Sequence, residues 1–216
     1  MTRIHVLGGT GYAGGHIARI AAARGHRVVS FSRAVPAQGA PGVDHRAGDL
    51  LDDARLRSAF DGAEVVVSGL SPRGALEGEG RLRALLRSVA RTAAERGVRL
   101  GVVGGAGSLR LEPGGPRLID APGLPEAARP EATEMAGILD DLEAAPEPLD
   151  WFFVSPALAF GRQAPGEPTG RYCLGADVLL RDENGESAIS GEDFAAAFVD
   201  EIERPAHRRR RFTVAR

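Results

Sequence analysis

The sequence predicts one α/β domain, residues 1–216, in which helices cover both faces of a doubly wound, mostly parallel sheet. Five short, almost continuously apolar runs recur along the chain, at residues 4–7, 28–31, 65–67, 100–103 and 151–154. Strands that are apolar on both faces are typical of parallel sheets buried beneath helices. Segments with helical spacing separate the runs, so strands and helices should alternate with right-handed crossovers.

Two of the intervening segments have the i, i+3, i+4 spacing of amphipathic helices, and a third has apolar residues four positions apart, which also marks a helix. Their apolar positions are residues 17, 20 and 21, then 82, 85, 86, 89 and 93, then 194, 198 and 202. A shorter helix is predicted over 52–60, a short third strand before residue 48, and a closing strand over 211–214. Ser190 is suited to cap the last helix.

Two long segments rich in glycine and proline, 104–130 and 156–175, interrupt this alternation. Loops of this length inside a compact domain are usually functional. Both follow predicted parallel strands, so both should lie at the carboxyl edge of the sheet, where open α/β sheets bind ligands. We therefore expect these loops to border a substrate.

Composition excludes several classes of function. All 27 basic residues are arginine, so Schiff-base chemistry, a P-loop lysine and any Tyr-Lys catalytic pair are excluded. The net charge of −2 favours neither nucleic acid nor membrane partners. The single cysteine, Cys173, allows no intrachain disulfide, the five histidines fit no metal-binding pattern, and no apolar run suggests a membrane span or signal peptide. A cytoplasmic protein is expected.

A glycine-rich loop joins the first predicted strand to the first predicted helix. Gly8, Gly11 and Gly14 have the spacing that permits a tight turn, close approach of backbone to a pyrophosphate, and tight packing of helix on strand. Free N–H groups at the start of the helix would bind the phosphates. This placement predicts a Rossmann-type dinucleotide site whose loop residues are Gly8, Gly9, Thr10, Gly11, Tyr12, Ala13 and Gly14.

The end of the second strand bears on which dinucleotide binds. Sites that prefer NAD usually carry an acidic residue here, whereas this chain has Ser32 and Arg33, which suit a 2′-phosphate. NADP(H) is therefore favoured over NAD(H), although Arg33 is also compatible with an ordinary solvated position. Asp49, with Leu50 beside it, is either an acceptor for the adenine amino group or the N-cap of the 52–60 helix.

Several segments resemble a known family. GGTGYAGG at 8–15, GDLLD at 48–52 and VGGAGSL at 103–109 are similar to atypical short-chain dehydrogenases. More narrowly, the chain resembles the NAD(P)H-binding group named NADH-flavin reductases, related to biliverdin reductase B and NmrA-like proteins, with further similarity at 154–156, 170–172, 175–177, 185–190, 204–207 and 211–214. The resemblance spans essentially the whole chain. It implies a Rossmann fold with NADP(H) at the glycine loop and a substrate beside residues 104–109.

The chain departs from mainstream short-chain dehydrogenases, which use a Tyr-x-x-x-Lys pair as proton donor. Its two tyrosines, Tyr12 and Tyr172, are followed four residues later by His16 and Ala176. Ser108 is the remaining candidate catalytic residue, because its hydroxyl is placed to donate to a carbonyl or ring nitrogen. It is equally compatible with a turn serine that bonds its own backbone.

Turns after the fourth and fifth strands are expected at the nicotinamide end of the cofactor. The expected cofactor contacts are Gly69, Leu70, Gly104 and Gly105, and the expected substrate contacts are Ser71, Arg73 and Ala106.

Residues near the sixth strand complete the predicted substrate pocket. Ser155 and Pro156 are expected to shape its floor. Arg162, Arg171 and Tyr172 belong to the second long loop, where they form either a lid over the substrate or a solvated surface.

These features favour an NADPH-dependent oxidoreductase that transfers hydride to a small conjugated acceptor, flavin- or quinone-like, because such acceptors do not require a strong protein acid. Two alternatives remain open: a noncatalytic NAD(P)-sensing regulator of the NmrA-like type, and an isomerase or dehydratase with tightly bound NAD(P). Either a monomer or a homodimer is compatible with the sequence.

Overall fold

The computed structural model describes residues 1–78 and 80–216 and contains one eight-stranded sheet. Its strand order is β3-β2-β1-β4-β5-β6-β8-β7. Every strand pairs in parallel except β7, which pairs antiparallel with β8. The strands are β1 (Arg3–Leu7), β2 (Arg27–Ser32), β3 (Val43–Ala47), β4 (Val65–Ser68), β5 (Arg99–Val103), β6 (Trp151–Ser155), β7 (Cys173–Gly175) and β8 (Arg210–Ala215).

Helices cover both faces of this sheet, which confirms the predicted doubly wound fold. The helices are α1 (Tyr12–Ala23), α2 (Asp53–Ser58), α3 (Arg81–Arg96), α4 (Arg129–Glu143) and α5 (Gly191–Glu203). On one face, Ile17 of α1 and Phe194 of α5 belong to the same buried core. On the other face, Val89 of α3 and Ile138 of α4 pack in a second core together with α2.

The second helix is shorter than predicted, because it ends at Ser58 and not at residue 60. Asp52 is its N-cap, and the Asp52 carboxylate accepts a hydrogen bond from the backbone N–H of Arg55 at 2.9 Å. Asp49 is therefore not the cap of this helix. Its carboxylate accepts instead from the backbone N–H of Leu51 at 3.0 Å.

Both predicted long loops contain regular structure. Segment 104–130 holds three short 3-10 helices, Ala106–Ser108, Leu118–Asp120 and Glu126–Ala128, and its end forms the start of α4. The buried face of α4 includes Glu134 and Gly137, so the apolar stripe that would have predicted this helix is interrupted. Segment 156–175 ends in β7, which was not predicted because its three residues are not buried.

Two contacts with Arg83 explain why a carboxylate and a glycine interrupt the apolar face of α4. The Glu134 carboxylate accepts a hydrogen bond from the backbone N–H of Arg83 at 2.9 Å, near the start of α3. A Cβ atom at Gly137 would lie 2.6 Å from a terminal nitrogen of Arg83, so the guanidinium occupies the space of a side chain. The same guanidinium donates two hydrogen bonds of 2.7 Å to Asp141, which joins α3 to α4.

A buried ion pair joins the last helix to the sheet. Arg99 at the start of β5 donates to the Glu201 carboxylate of α5 at 2.6 Å, and both residues are buried. The same carboxylate accepts the backbone N–H of His207 at 3.0 Å, which positions the chain before β8. Within the described residues, none of the helices combines the length and apolar content that a membrane crossing requires.

Candidate functional site

A cleft of about 650 Å³ opens at the carboxyl edge of the sheet. It runs along the ends of the central strands, where β1 lies between β2 and β4. This is the position at which doubly wound sheets bind nucleotides, because the connections diverge to opposite faces there. Most of the residues predicted from the sequence for this site do line the cleft: Gly8, Thr10, Gly11, Tyr12, Ala13, Ser32, Arg33, Asp49, Leu50, Gly69, Leu70, Ser71, Arg73, Gly104, Gly105, Ala106 and Pro156.

The glycine loop is packed so closely that side chains are excluded from its interior. A Cβ atom at Gly14 would lie 2.5 Å from the carbonyl oxygen of Gly8, and one at Gly69 would lie 2.8 Å from Cα of Gly14. Gly8 itself has φ +79°, a left-handed conformation that favours glycine. Gly14 and Gly9 form the rear of the loop and do not line the cleft.

The start of α1 faces this loop with its backbone N–H groups. Its N-cap is Gly11, which has no side chain to accept hydrogen bonds from the first turn. Such a helix start binds anions, because free N–H groups and the helix dipole point toward the ligand. The glycine cradle and the helix start together fit the diphosphate of a dinucleotide.

A cluster of hydroxyl and guanidinium groups lies where β2 ends. The Thr10 hydroxyl donates to the Ser32 hydroxyl at 3.0 Å. The exposed Arg33 guanidinium lies over Gly74, where a Cβ atom would be 2.9 Å from it. Within residues 1–78 and 80–216, Arg33 forms no ion pair and no side-chain hydrogen bond. At this end of the cleft, Arg33 is therefore a cation without an ion-pair partner among the residues described.

The opposite end of the cleft is mostly apolar. Its wall consists of residues from the 104–130 segment, from α4 and from the loop after β6: Leu118, Leu124, Ala128, Ala132, Met135, Leu158 and Phe160. Arg73 and Glu131 face each other at the rim, 3.6 Å apart and both exposed to solvent. Arg162 and Gln163 also line the cleft, in a turn whose neighbours Phe160 and Pro165 contact Tyr12 at the start of α1. An apolar ring with polar groups near the rim would fit this end.

Sequence reasoning missed much of this apolar end. Glu131, Ala132 and Met135 belong to α4, which the sequence patterns did not predict. Phe160 lies in the second predicted loop, and its ring contacts the Tyr12 ring edge-on with centroids 5.3 Å apart. The length of the two loop segments is the sequence feature that points to this end of the cleft, and it does not identify individual residues.

Besides Gly9 and Gly14, three residues predicted for catalysis or substrate binding do not line the cleft. Ser108 is buried in a 3-10 helix, and its hydroxyl is 3.4 Å from the Gly105 carbonyl oxygen, as the turn-serine alternative expects. Ser155 is fully buried at the end of β6. Tyr172 does not cover the cleft, because it packs beside the α1–α5 core and its hydroxyl donates to Asp200. Burial, together with this contact, raises the pKa of Tyr172 to about 12.

Burial shifts the pKa values of two titratable groups near the glycine loop away from neutral pH. Burial raises the pKa of Tyr12, whose hydroxyl donates to the Pro165 carbonyl at 3.1 Å. Burial also lowers the pKa of His16, one turn along α1, so its ring is neutral near pH 7. Among the described residues, no group of three His, Cys, Asp or Glu side chains is suited to hold a metal ion.

The fold and the glycine cradle define a Rossmann-type nucleotide-binding protein. The chain belongs to the NAD(P)H-binding family, whose model matches residues 8–205. It is 34% identical to the uncharacterized protein YwnB of Bacillus subtilis (strain 168), over 98% of this chain and 97% of that protein. The domain is therefore of the NAD(P)H-binding class.

Two solved structures are similar over the full length. One is a protein from Burkholderia pseudomallei, provisionally named an exported protein, with 39% identity, complete coverage of both chains and a TM-score of 0.87. The other is a protein from Streptococcus pneumoniae TIGR4, provisionally named an NADH-flavin reductase, with 32% identity over 100% of this chain and 99% of that chain, and a TM-score of 0.87. Family membership thus agrees with the Rossmann fold.

Proposed function

We propose that the protein is an NADPH-dependent oxidoreductase that transfers hydride to a small conjugated acceptor, such as a flavin or a quinone. The observation that carries this proposal is the continuity of the cleft, which runs from the glycine loop to an apolar end near Met135 and Leu158. A nucleotide and a flat ring could therefore lie end to end in one cavity. The similarity to a protein provisionally named an NADH-flavin reductase supports the same reaction class.

The proposed preference for NADPH rests on the cluster at the end of β2. Bound NADPH would place its diphosphate at the start of α1 and its 2′-phosphate near Arg33, Ser32 and Thr10. A guanidinium and hydroxyl groups can donate charge-assisted hydrogen bonds to a phosphate, whereas an NAD-specific carboxylate would repel it. Asp49 also lines the cleft and follows Gly48, whose backbone N–H donates to the Ser32 carbonyl at 2.9 Å, so the Asp49 carboxylate could accept from the adenine amino group.

The proposed reaction does not require a strongly acidic side chain. When bound, NADPH supplies a hydride, and the role of the chain is to hold two rings in contact and to exclude water. The apolar wall formed by Leu118, Leu124 and Met135 is suited to that role. A conjugated acceptor delocalises the added charge and can take its proton from solvent, so the absence of lysine from the sequence is not an obstacle.

Arg33→Gln tests the cofactor assignment. Loss of a charge-assisted contact costs about 1.5–3 kcal/mol, so the Kd for NADPH should rise about 10-fold to 150-fold while the Kd for NADH changes little. Calorimetric titration with both nucleotides measures the effect. Arg27→Gln, at the other end of the same strand, is the matched control. Equal affinities for NADPH and NADH in the unmutated protein would contradict the preference.

A screen for NADPH oxidation with FMN, riboflavin and quinones tests the reaction. We expect steady oxidation with at least one of these acceptors. Tight cofactor binding without turnover across a wide panel would instead favour the noncatalytic sensor. A stoichiometric cofactor that copurifies and does not exchange would favour the isomerase or dehydratase.

A further inference from the structure

The exposed side chain of Arg162 lines the cleft and has no counter-charge among the described residues. In that part of the chain it takes part in no ion pair and no side-chain hydrogen bond. Its neighbours on the cleft wall, Gly161 and Gln163, carry no charge. An unpaired guanidinium beside a ligand cleft is suited to bind an anion, because its planar donors match the oxygens of a phosphate or carboxylate.

The turn that carries Arg162 packs against the start of α1. Tyr12 is the first residue of α1, and its hydroxyl donates to the Pro165 carbonyl oxygen at 3.1 Å. The Tyr12 ring also contacts the Phe160 ring edge-on, with centroids 5.3 Å apart. Because Phe160 and Pro165 lie on either side of Arg162 in the chain, the turn is fixed beside the first turn of this helix.

Contacts within the protein hold this turn in place. The backbone N–H of Ala164 donates to the carbonyl oxygen of Gly161 at 3.1 Å, which closes the turn around Arg162. The ring of Phe160 also packs against the ring of Phe194 on α5, with centroids 4.5 Å apart. Since the backbone of the turn is already ordered, less conformational entropy is lost when a ligand binds to it.

The charge of Arg162 reaches the first residues of α1. Burial is the main cause that raises the pKa of Tyr12 and lowers the pKa of His16, and the positive charge of Arg162 acts to lower both pKa values. The Glu192 carboxylate acts in the opposite direction on the same two groups, but it forms an ion pair with Arg19 at 2.6 Å. Arg162 therefore adds positive charge beside a helix start that is itself positive.

These two positive features border the same cleft, and one anion can bind to both. The N–H groups at the start of α1 have no side-chain cap, because the N-cap is Gly11. A diphosphate carries two negative charges and several acceptor oxygens, so it can accept from backbone N–H groups and from a guanidinium together. In the proposed arrangement the 2′-phosphate binds beside Arg33, at the end of β2. The diphosphate is therefore the part of the cofactor that fits Arg162.

We propose that Arg162 binds the diphosphate of the cofactor, as a side-chain partner to the backbone N–H groups of the glycine loop and α1. This inference rests on the placement of the diphosphate in the proposed function, and it depends neither on the preference for NADPH nor on the identity of the acceptor. Arg162 would hold the cofactor and take no part in the hydride transfer.

Arg162→Gln tests this assignment with three nucleotides that share the diphosphate. NADPH and NADH differ at the 2′-phosphate, and ADP-ribose lacks the nicotinamide. In calorimetric titrations the Kd should rise about tenfold for all three, the factor expected for one charge-assisted contact near solvent. The Kd for NADH should also depend less steeply on salt concentration, because one screened contact between charges is lost.

Two further variants support the interpretation. Arg162→Lys keeps the positive charge but loses the planar fork of donors, so it should recover part of the lost affinity. Arg57→Gln is the matched control, because Arg57 is an exposed arginine on α2 that does not line the cleft, and it should change none of the Kd values. Urea unfolding should give the same stability for Arg162→Gln and the unmutated protein, since Arg162 is exposed.

Three other outcomes would overturn the inference. A loss of affinity confined to NADPH would assign Arg162 to the 2′-phosphate, beside Arg33. A loss for NADPH and NADH but not for ADP-ribose would assign it to the nicotinamide. Unchanged Kd values for all three would leave Arg162 as a solvated arginine. Failure of the proposed reaction is a separate result: equal weakening of the three nucleotides, without turnover of any acceptor, would support this inference and contradict the hydride transfer.

Discussion

Replacement of Gly14 by alanine should disrupt the glycine loop, because the new methyl group has no space. It would lie 2.5 Å from the Gly8 carbonyl oxygen and 3.0 Å from the Gly8 carbonyl carbon, both rigid backbone atoms. Overpacking of this kind costs about 1–3 kcal/mol of stability, only partly offset by the better helix propensity of alanine, about 0.5–1 kcal/mol. The displaced loop should also bind NADPH at least about tenfold more weakly.

Gly15→Ala is the matched control for this change. The next residue of the same helix has room for a Cβ atom, whose nearest neighbour would be the Gly9 carbonyl oxygen at 3.5 Å. This variant should be as stable as the unmutated protein or slightly more stable, with an unchanged Kd for NADPH. Urea unfolding and calorimetric titration measure both properties. If Gly14→Ala matches Gly15→Ala in both measurements, the steric reasoning is wrong.

Two ion pairs give further predictions. Hydrogen bonds from Arg83, and secondarily from Arg87, lower the pKa of Asp141 to about 2. Asp141→Asn should therefore lower the free energy of unfolding by about 1 kcal/mol at pH 7, after allowance for solvent screening. This difference from the unmutated protein should disappear as the pH falls from about 4 towards 2. A difference that does not depend on pH in urea unfolding would contradict this. Glu201→Gln should lower the free energy of unfolding by up to about 3–5 kcal/mol, because the buried Arg99 guanidinium would keep only its longer ion pair, with Asp150 at 3.6 Å. A loss below about 1 kcal/mol in the same measurement would refute that reasoning.

The central sheet could be predicted because its strands are defined by local sequence. Strands such as β4, with all four residues buried, require continuous apolar runs. Helix α4 could not be predicted in this way, because Glu134 and Gly137 on its buried face are explained only by contacts with Arg83 on another helix. Strand β7 escaped prediction because it is short and exposed at the edge of the sheet.

The two ends of the candidate site also differ in how well the local sequence predicts them. The glycine loop could be predicted because backbone groups form it, and the spacing of the glycines indicates the backbone conformation directly. Chain position alone predicts Ser108 and Tyr172 in the cleft. The direction of the Ser108 side chain is set by a 3-10 helix, and that of Tyr172 by packing beside α5. The apolar wall is built from α4 and from the turn after β6, which only the folded chain brings together.

The walls of the cleft come from two separate stretches of chain. Residues 8–76 form one wall and residues 103–163 form the other, and among the described residues between them Leu85 alone lines the cleft. Helix α3 joins the two stretches. Recombination between related genes within this helix would therefore join the first stretch of one protein to the second stretch of another and keep the order of the strands. Related genes could diversify in substrate by exchanging such single fragments.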